Sequence, residues 1–339
     1  MKTHANIPIF VPHMGCPNAC VFCNQRTISG HNVPDFTKVG EEIENALSTV
    51  DLSRRTAQIA YFGGSFTAID RKDMIYLLSV AKKFIDDGRV ESIRISTRPD
   101  CIDEEIIEIL CSYGVKSVEL GIQSISEKVL LLSGRGHGAD CCKRAAELIT
   151  GAGMEFVGQM MIGLPGSTKE DEIRTAIDIA DMGAVAARIY PTVVFKGTKL
   201  AEMAEKGEYI PMSREETIDR TEAAFEVFAE RGIKVIRIGL QSGEALVSGE
   251  EIACGDYSEA IGEMCISRYF EKKISALCEG FSGGDVTVYC NPRRISCAVG
   301  YKGENREKIK EKFGLRSIRI SPCDGLSEFE IRINTNQRS

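Results

Sequence analysis

The sequence has no tryptophan and only 4 histidines in 339 residues. No Ser-His-Asp set stands out in the sequence, and hydrolysis of that type is not expected. No stretch approaches the roughly 20 apolar residues of a membrane span, so no membrane partner is expected. The N-terminus carries one lysine and a short apolar run broken by Pro8 and Pro12, without a secretory h-region or cleavage site. A cytoplasmic protein with reduced cysteines is the expectation. The 13 cysteines are odd in number and scattered, which argues against a disulfide framework. There is no repeat of fixed period and no low-complexity run. With 43% hydrophobic and 27% charged residues, the chain reads as globular, long enough for one large domain and a small one.

What stands out is Cys16-Pro17-Asn18-Ala19-Cys20-Val21-Phe22-Cys23, a C-x3-C-x2-C spacing on a loop after the apolar run Ile7–Val11. Three thiolates this close can hold three irons of a [4Fe–4S] cube and leave the fourth iron open to a small molecule. Zinc is the rival; it wants a fourth ligand, which His13 or His31 could supply. The other ten cysteines show no second C-x2-C and read as small apolar packing groups. A second cluster built from Cys278, Cys290, Cys297 and Cys323 is disfavoured for the same reason.

From residue 7 to about 240, short β-rich runs alternate with helix-period segments. Expected strands are Ile7–Val11, Gln58–Phe62, Ser92–Ser96, Ser117–Ile122, Glu155–Ile162, Ala186–Tyr190 and Lys234–Ile238. Ser126 and Thr168 are expected helix caps. Near-continuous apolar strands alternating with helices imply an α/β fold with a parallel sheet. Six or seven units suggest a full or partial (β/α)6-type barrel, whose site forms at the C-terminal strand ends. At those ends stand Phe62-Gly63-Gly64-Ser65-Phe66, Ser96-Thr97-Arg98-Pro99-Asp100, Glu119-Leu120-Gly121-Ile122-Gln123 and Gln159-Met160-Met161-Ile162-Gly163-Leu164-Pro165-Gly166. Paired glycines let a ligand approach the backbone. Gln123 and Gln159 either meet that ligand or cap backbone groups.

In this order the motifs resemble the radical S-adenosylmethionine (SAM) superfamily. With Arg135-Gly136-His137 and Tyr190-Pro191-Thr192 added, residues 5–240 are similar to the radical-SAM half of the Elongator subunit Elp3 family, and more distantly to the oxygen-independent coproporphyrinogen oxidase group. The resemblance implies a [4Fe–4S] cluster held by Cys16, Cys20 and Cys23, with SAM as the second cofactor. It implies that Phe22 packs near the adenine and that Gly63, Gly64 and Ser65 meet the methionine amino group. Gln123, Arg135 and Gln159 align with contacts to SAM ribose or carboxylate. Two positions depart from the pattern. Ser96 stands where relatives often have a carboxylate, and Ser65 replaces a glutamate. The implied activity is reductive cleavage of SAM to a 5′-deoxyadenosyl radical that takes a hydrogen atom from a substrate. The electron would come from a donor such as flavodoxin or ferredoxin. A structural role is expected for His137.

The tail differs. Between Asn291 and Ile320 nine basic residues face only Glu304, Glu307 and Glu311, inside a chain of net charge −7. That excess reads either as a phosphate-facing patch or as a solvated helix with Glu–Lys pairs. A helix is expected from Tyr257 to about Cys278. A strand Val286–Cys290, a short helix near Pro292–Val299, the loop Gly300-Tyr301-Lys302-Gly303, a helix Glu304–Phe313 and strands Ser317–Ser321 and Glu328–Ile333 follow. This order and the G-x-x-G loop resemble a KH module, which implies RNA contacts at Gly300, Lys302, Gly303 and Arg306. The rival is a tight turn whose glycines serve backbone angles alone. The acetyltransferase pattern that accompanies the Elp3 core is not seen, so acetyl-CoA chemistry is not carried over. The expected organisation is a radical-SAM core at 1–247, a helical link at 248–284 and a small α+β, KH-like domain at 285–339. The leading function is a radical SAM enzyme modifying RNA, most simply tRNA. The alternatives are a radical SAM enzyme acting on a small molecule or porphyrin, and a non-catalytic iron–sulfur RNA-binding sensor.

Overall fold

The structure, a computed structural model, describes residues 3–11, 16, 19–23, 35–240, 246 and 248–336. His13 and His31, the candidate zinc ligands, lie outside the described residues. Strand β1 (Thr3–Val11) precedes helix α1 (Val39–Ser48) and β2 (Arg55–Gly63). Next come α2 (Arg71–Asp86), β3 (Ser92–Thr97), α3 (Glu104–Ser112) and β4 (Val115–Gln123). Two helices, α4 (Glu127–Leu132) and α5 (Ala139–Gly151), lead to β5 (Glu155–Ile162), α6 (Lys169–Asp181) and β6 (Ala186–Pro191). A short β7 (Val194–Phe195), α7 (Lys199–Glu205) and α8 (Arg214–Glu230) precede β8 (Lys234–Ile238).

The seven long strands form one parallel sheet in the order β1-β2-β3-β4-β5-β6-β8. Among the described residues β1 and β8 do not pair, so of the full and partial barrels the partial one forms. Strand β1 is an edge strand that carries Pro8 opposite Ala60. The interior corrects one expectation. The strands are not apolar throughout; several alternate. Ile93 and Ile95 of β3 and Val118 and Leu120 of β4 are buried in the main core. Next to them in sequence Ser96, Glu119 and Gly121 face a cavity inside the curve of the sheet. The lumen is polar, so these strands follow the period of 2 of a two-environment sheet.

Thr168 caps α6 as expected, in a capping box with Asp171. Ser126 makes no side-chain cap bond. Its own N–H instead donates to Ser124 Oγ at 3.1 Å.

After β9 (Ile252–Cys254), which pairs with β7, helix α9 (Ile261–Leu277) begins four residues later than expected. The tail contains β10 (Asp285–Cys290), α10 (Ile295–Val299), α11 (Glu304–Lys312), β11 (Ser317–Pro322) and β12 (Ile331–Asn336). β10 is central, parallel to β11 and antiparallel to β12. Asn305 fastens the start of α11 by donating to the carbonyls of Ser267 at 2.8 Å and Cys297 at 3.2 Å. The apolar core is continuous from the barrel through Phe225 and Tyr269 into Val286, Val288 and Ile309. Of the ten cysteines read as packing groups, Cys142, Cys265, Cys278, Cys290 and Cys297 are buried and Cys101, Cys141, Cys254 and Cys323 half-buried, whereas Cys111 is exposed on α3 and does not pack. No described helix is long and apolar enough to cross a membrane.

Candidate active site

The cysteine loop is anchored at its middle. Val21 donates its N–H to the Ser133 carbonyl at 3.0 Å, and its own carbonyl accepts from Leu200 N–H at 2.8 Å. Its side chain is buried with Val194, Leu200 and Tyr209, and Phe22 packs against that group. Two backbone ties and one apolar anchor set Cys20 and Cys23 on either side of Val21. Cys23 N–H closes the turn onto the Cys20 carbonyl at 3.1 Å.

One cavity of about 160 Å³ brings the predicted site residues together. Cys16, Cys20, Phe22 and Cys23 line it from the loop. Gly63, Gly64 and Ser65 come from the end of β2, Ser96 from β3, Gln123 from β4, Arg135 from the turn after α4 and Gln159 from β5. Sequence distances of more than a hundred residues collapse here because every parallel strand ends at the same face.

Glycine is needed at position 63, where φ is +116° and a Cβ would sit 2.5 Å from the Val11 carbonyl. Gly64 N–H donates to that same carbonyl at 2.8 Å. The Ser65 hydroxyl is engaged by Thr97 Oγ1 at 2.9 Å and by Arg98 N–H at 3.0 Å. Gln123 is buried at φ +69°, a left-handed angle that costs a non-glycine residue free energy and marks many ligand sites. It sits where the β4–β5 register shifts, and its Oε1 lies 3.5 Å from Gln159 Nε2.

Two guanidiniums converge on Cys20. Arg135 Nη1 lies 3.3 Å from its Sγ and Arg98 Nη1 lies 3.7 Å away. Arg98 is held by Asp100 at 2.8 Å, which outweighs the opposing effect of burial and keeps it charged. Arg135 also donates to the Gly121 carbonyl, and its Nε is buried without a partner. Burial pushes the Cys16 thiol up, and Arg98 and Arg135 pull against that. Arg98, Thr97, Glu119 and Gly121 line the cavity too; the strand-end runs contained them, without a role assigned to any of the four.

Glu119 is buried beside Arg188, whose Nε lies 2.9 Å from Oε2. Burial raises its carboxyl, against the pull of Arg188 and Arg94. His137 is outside the cavity. Its Nδ1 lies 3.3 Å from the Gly138 carbonyl and 3.8 Å from Cys142 Sγ. Burial first, and then Arg135, depress it to about 4, so it is neutral near pH 7.

The donor set suits an iron–sulfur cube. Among the described residues no three His, Cys, Asp or Glu side chains converge as a single ion would require. Three thiolates serving three separate irons need no common centre.

Comparison with known proteins agrees. The profile of the radical SAM superfamily matches residues 10–179, half of the 339-residue chain, and that of the radical-SAM C-terminal domain matches 185–271. The chain belongs to the radical SAM superfamily. Structures of this family bind a [4Fe–4S] cluster and SAM. An uncharacterized protein of Methanocaldococcus jannaschii is 30% identical over 207 residues, covering 59% of this chain and 60% of its own. The tRNA uridine(34) acetyltransferase of Methanocaldococcus infernus is 31% identical over 188 residues, covering 55% of this chain and 34% of its own. The Elp3 structure from the same organism superposes with a TM-score of 0.63 at 22% identity, covering 80% of this chain and 64% of that one. The radical SAM protein is thus homologous to the radical-SAM half of Elp3, and spans under two thirds of the length of these relatives.

The four residues expected to meet RNA lie elsewhere, around the loop between α10 and α11. Gly300 has φ +95° and a Cβ there would meet Asn305 N at 2.4 Å, so its bareness serves packing. Gly303 has φ +84° and faces open space. Lys302 is exposed at φ +54°, and Arg306 is exposed and pairs with Glu307 at 3.4 Å. Part of the basic excess is spent on pairs, among them Lys308–Glu304 at 2.9 Å and Arg294–Glu328. Tyr301 and Lys302 border a hollow of about 370 Å³ against α8 and α9. Four cationic side chains line it, Arg214, Arg268, Lys302 and Lys308, against Glu215 and Glu304.

Proposed function

We propose that this radical SAM enzyme modifies RNA, most simply tRNA. Cys16, Cys20 and Cys23 hold the cluster. Gly63, Gly64 and Ser65 receive the methionine end of SAM, and Gln123, Arg135 and Gln159 its carboxylate and ribose, with Phe22 beside the adenine. When bound, the cluster supplies one electron for the reductive cleavage of SAM. The chain orients SAM between the cysteine loop and the strand ends, keeps water from the cavity and holds Cys20 beside two fixed cations. A protein donor such as flavodoxin or ferredoxin provides the electron, in the cytoplasm. In this reading residues 1–247 form the catalytic core, 248–284 the link and 285–339 a KH-like RNA-binding domain.

The RNA reading rests on one observation, the hollow beside the Gly300–Gly303 loop, where exposed Lys302 joins Arg214, Arg268 and Lys308, these three being ion-paired with Asp256, Glu215 and Glu304, in a chain of net charge −7. A phosphodiester backbone is the polyanion that such a cluster attracts. The tRNA-modifying relative from Methanocaldococcus infernus supports the same substrate class.

The test has two parts. Anaerobically reconstituted protein should release 5′-deoxyadenosine from SAM and a reductant. It should also bind bulk tRNA with an affinity that falls steeply with salt, and Lys302→Glu should weaken that binding at least threefold. Cleavage of SAM without salt-sensitive RNA binding would remove the RNA substrate. RNA binding without SAM cleavage would leave an iron–sulfur sensor.

A further inference from the structure

The cavity between the cysteines and the strand ends has one carboxylate among its described lining residues, Glu119. SAM carries an ammonium, a sulfonium and ribose hydroxyls, all of which seek negative or lone-pair-bearing oxygens. Two positions that could have supplied an acid are serines here. Ser65 spends its hydroxyl on Thr97 and on Arg98 N–H. Ser96 is too short to reach far, and its Oγ is buried without a partner. In the β3–β4 ladder Ser96 stands directly opposite Glu119. A carboxylate absent from one strand is therefore present on its neighbour at the same level of the barrel.

We propose that Glu119 is the carboxylate that holds SAM in this chain, accepting hydrogen bonds from the cofactor in place of acids absent at Ser65 and Ser96. The proposal rests on the reading of this cavity as the SAM site. The state of Glu119 supports it. Its side chain is 4% exposed, and its ion pair with Arg188 is off line. Neither Glu119 Oε2 nor Arg188 Nε has a well-formed hydrogen bond, although they are 2.9 Å apart. An ionised carboxylate has about four acceptor sites, and the skewed pair leaves those of Oε2 open to a further donor. A buried charge so incompletely satisfied costs stability unless a further donor arrives. Arg188 then has a positioning part. Arg188 is not among the residues lining the cavity, and its contact with Oε2 offsets the Glu119 charge. Arg188 is itself steadied by the Tyr190 hydroxyl at 3.3 Å.

The experiment is equilibrium SAM binding by calorimetry on the cluster-reconstituted full chain, with melting temperatures of each variant recorded in parallel. Glu119→Gln, which keeps shape and removes charge, should weaken SAM binding at least tenfold. Adding Ser96→Glu to that variant returns a carboxylate from the facing strand and should recover at least threefold. Binding within twofold of wild type in Glu119→Gln overturns the proposal. So does a loss that Ser96→Glu does not recover while the melting temperature is unchanged, because Glu119 would then serve only as the partner of Arg188. Should Glu119→Gln fail to fold, Glu119→Asp is read instead: a tenfold loss supports the proposal, and unaltered binding overturns it. A wild-type protein that binds no SAM with its cluster intact refutes the reading of the cavity itself, and does so before any variant is made.

Discussion

Glu172→Gln probes how the loop after β5 is kept at the mouth of the barrel. The Glu172 carboxylate is 2% exposed. Its Oε1 accepts from Gly163 N–H at 2.6 Å and Ser167 Oγ at 3.1 Å, and from Arg220 Nη2. Its Oε2 accepts from Arg220 Nε at 2.8 Å. Arg220 also reaches the Ser167 carbonyl at 3.1 Å. Tyr209 closes the set by donating to the Gly163 carbonyl at 2.7 Å. Gly163-Leu164-Pro165-Gly166 is thus held by α6, α8 and Tyr209 at once. A glutamine has one acceptor oxygen and offers two N–H groups to a guanidinium that only donates. The forked contact is lost and the cation loses its buried counter-charge.

Removing one partner of a buried pair costs about 3–5 kcal/mol. Glu216 remains at 3.0 Å from Arg220 with its side chain half exposed, so the lower end, about 3 kcal/mol, is expected. Urea unfolding of the full chain reads the change from the first transition. A loss below about 1 kcal/mol refutes the reasoning, since that is the worth of an ordinary exposed pair. The double variant Glu172→Met/Arg220→Met removes both charges and should recover much of the loss. If it is worse than Glu172→Gln by the full cost of a second independent site, the two side chains are not coupled as the geometry requires.

Three further outcomes are expected. Cys20→Ala should abolish the absorbance of the reconstituted cluster and SAM cleavage together; survival of either contradicts the ligand assignment. Gly63→Ala places a Cβ 2.5 Å from the Val11 carbonyl at φ +116° and should cost about 1–3 kcal/mol, read by thermal unfolding, with weaker SAM binding. His137 titrates at about 4 in the fold, against the ordinary 6.5, so the unfolded chain binds the extra proton between those values. The stability it contributes is complete above pH 6.5 and declines as the pH falls toward 4. His137→Gln should flatten that part of the stability–pH curve, and a slope equal to wild type would show that another group is responsible.

The parallel sheet was legible because each strand has a run of β-branched and apolar residues bounded by glycine or polar turns. Glu155–Ile162 and Lys234–Ile238 coincide with the observed strands to the residue. The last strand was expected at Glu328–Ile333 and runs over Ile331–Asn336. Phe329 lies before the ladder begins. Its ring packs against Phe225 at 5.3 Å from a turn in which Glu330 N–H donates to the Ser327 carbonyl, so its burial has nothing to do with a ladder. The site divides along the same line. Glycines and cysteines are visible through spacing, because local geometry demands them. Arg98 and Glu119 depend on where distant strands end. Arg98 reaches a sulfur 78 positions away, and Glu119 finds Arg188 across the one strand between them, distances on which periodicity is silent.

The open side of the sheet has a consequence for how the protein survives at high concentration. An edge strand offers a row of backbone donors and acceptors to any passing chain, and parallel edges are the kind usually covered. Among the described residues strand β1 is such an edge, and Pro8 sits in its middle. Proline has no N–H, and an edge is where that lack does least harm to the native ladder. It interrupts the pattern that a foreign strand would need to extend the sheet. The residue that broke the apolar run at the N-terminus thus guards the fold against growing by one strand, and Pro8→Val should make the protein more prone to self-association.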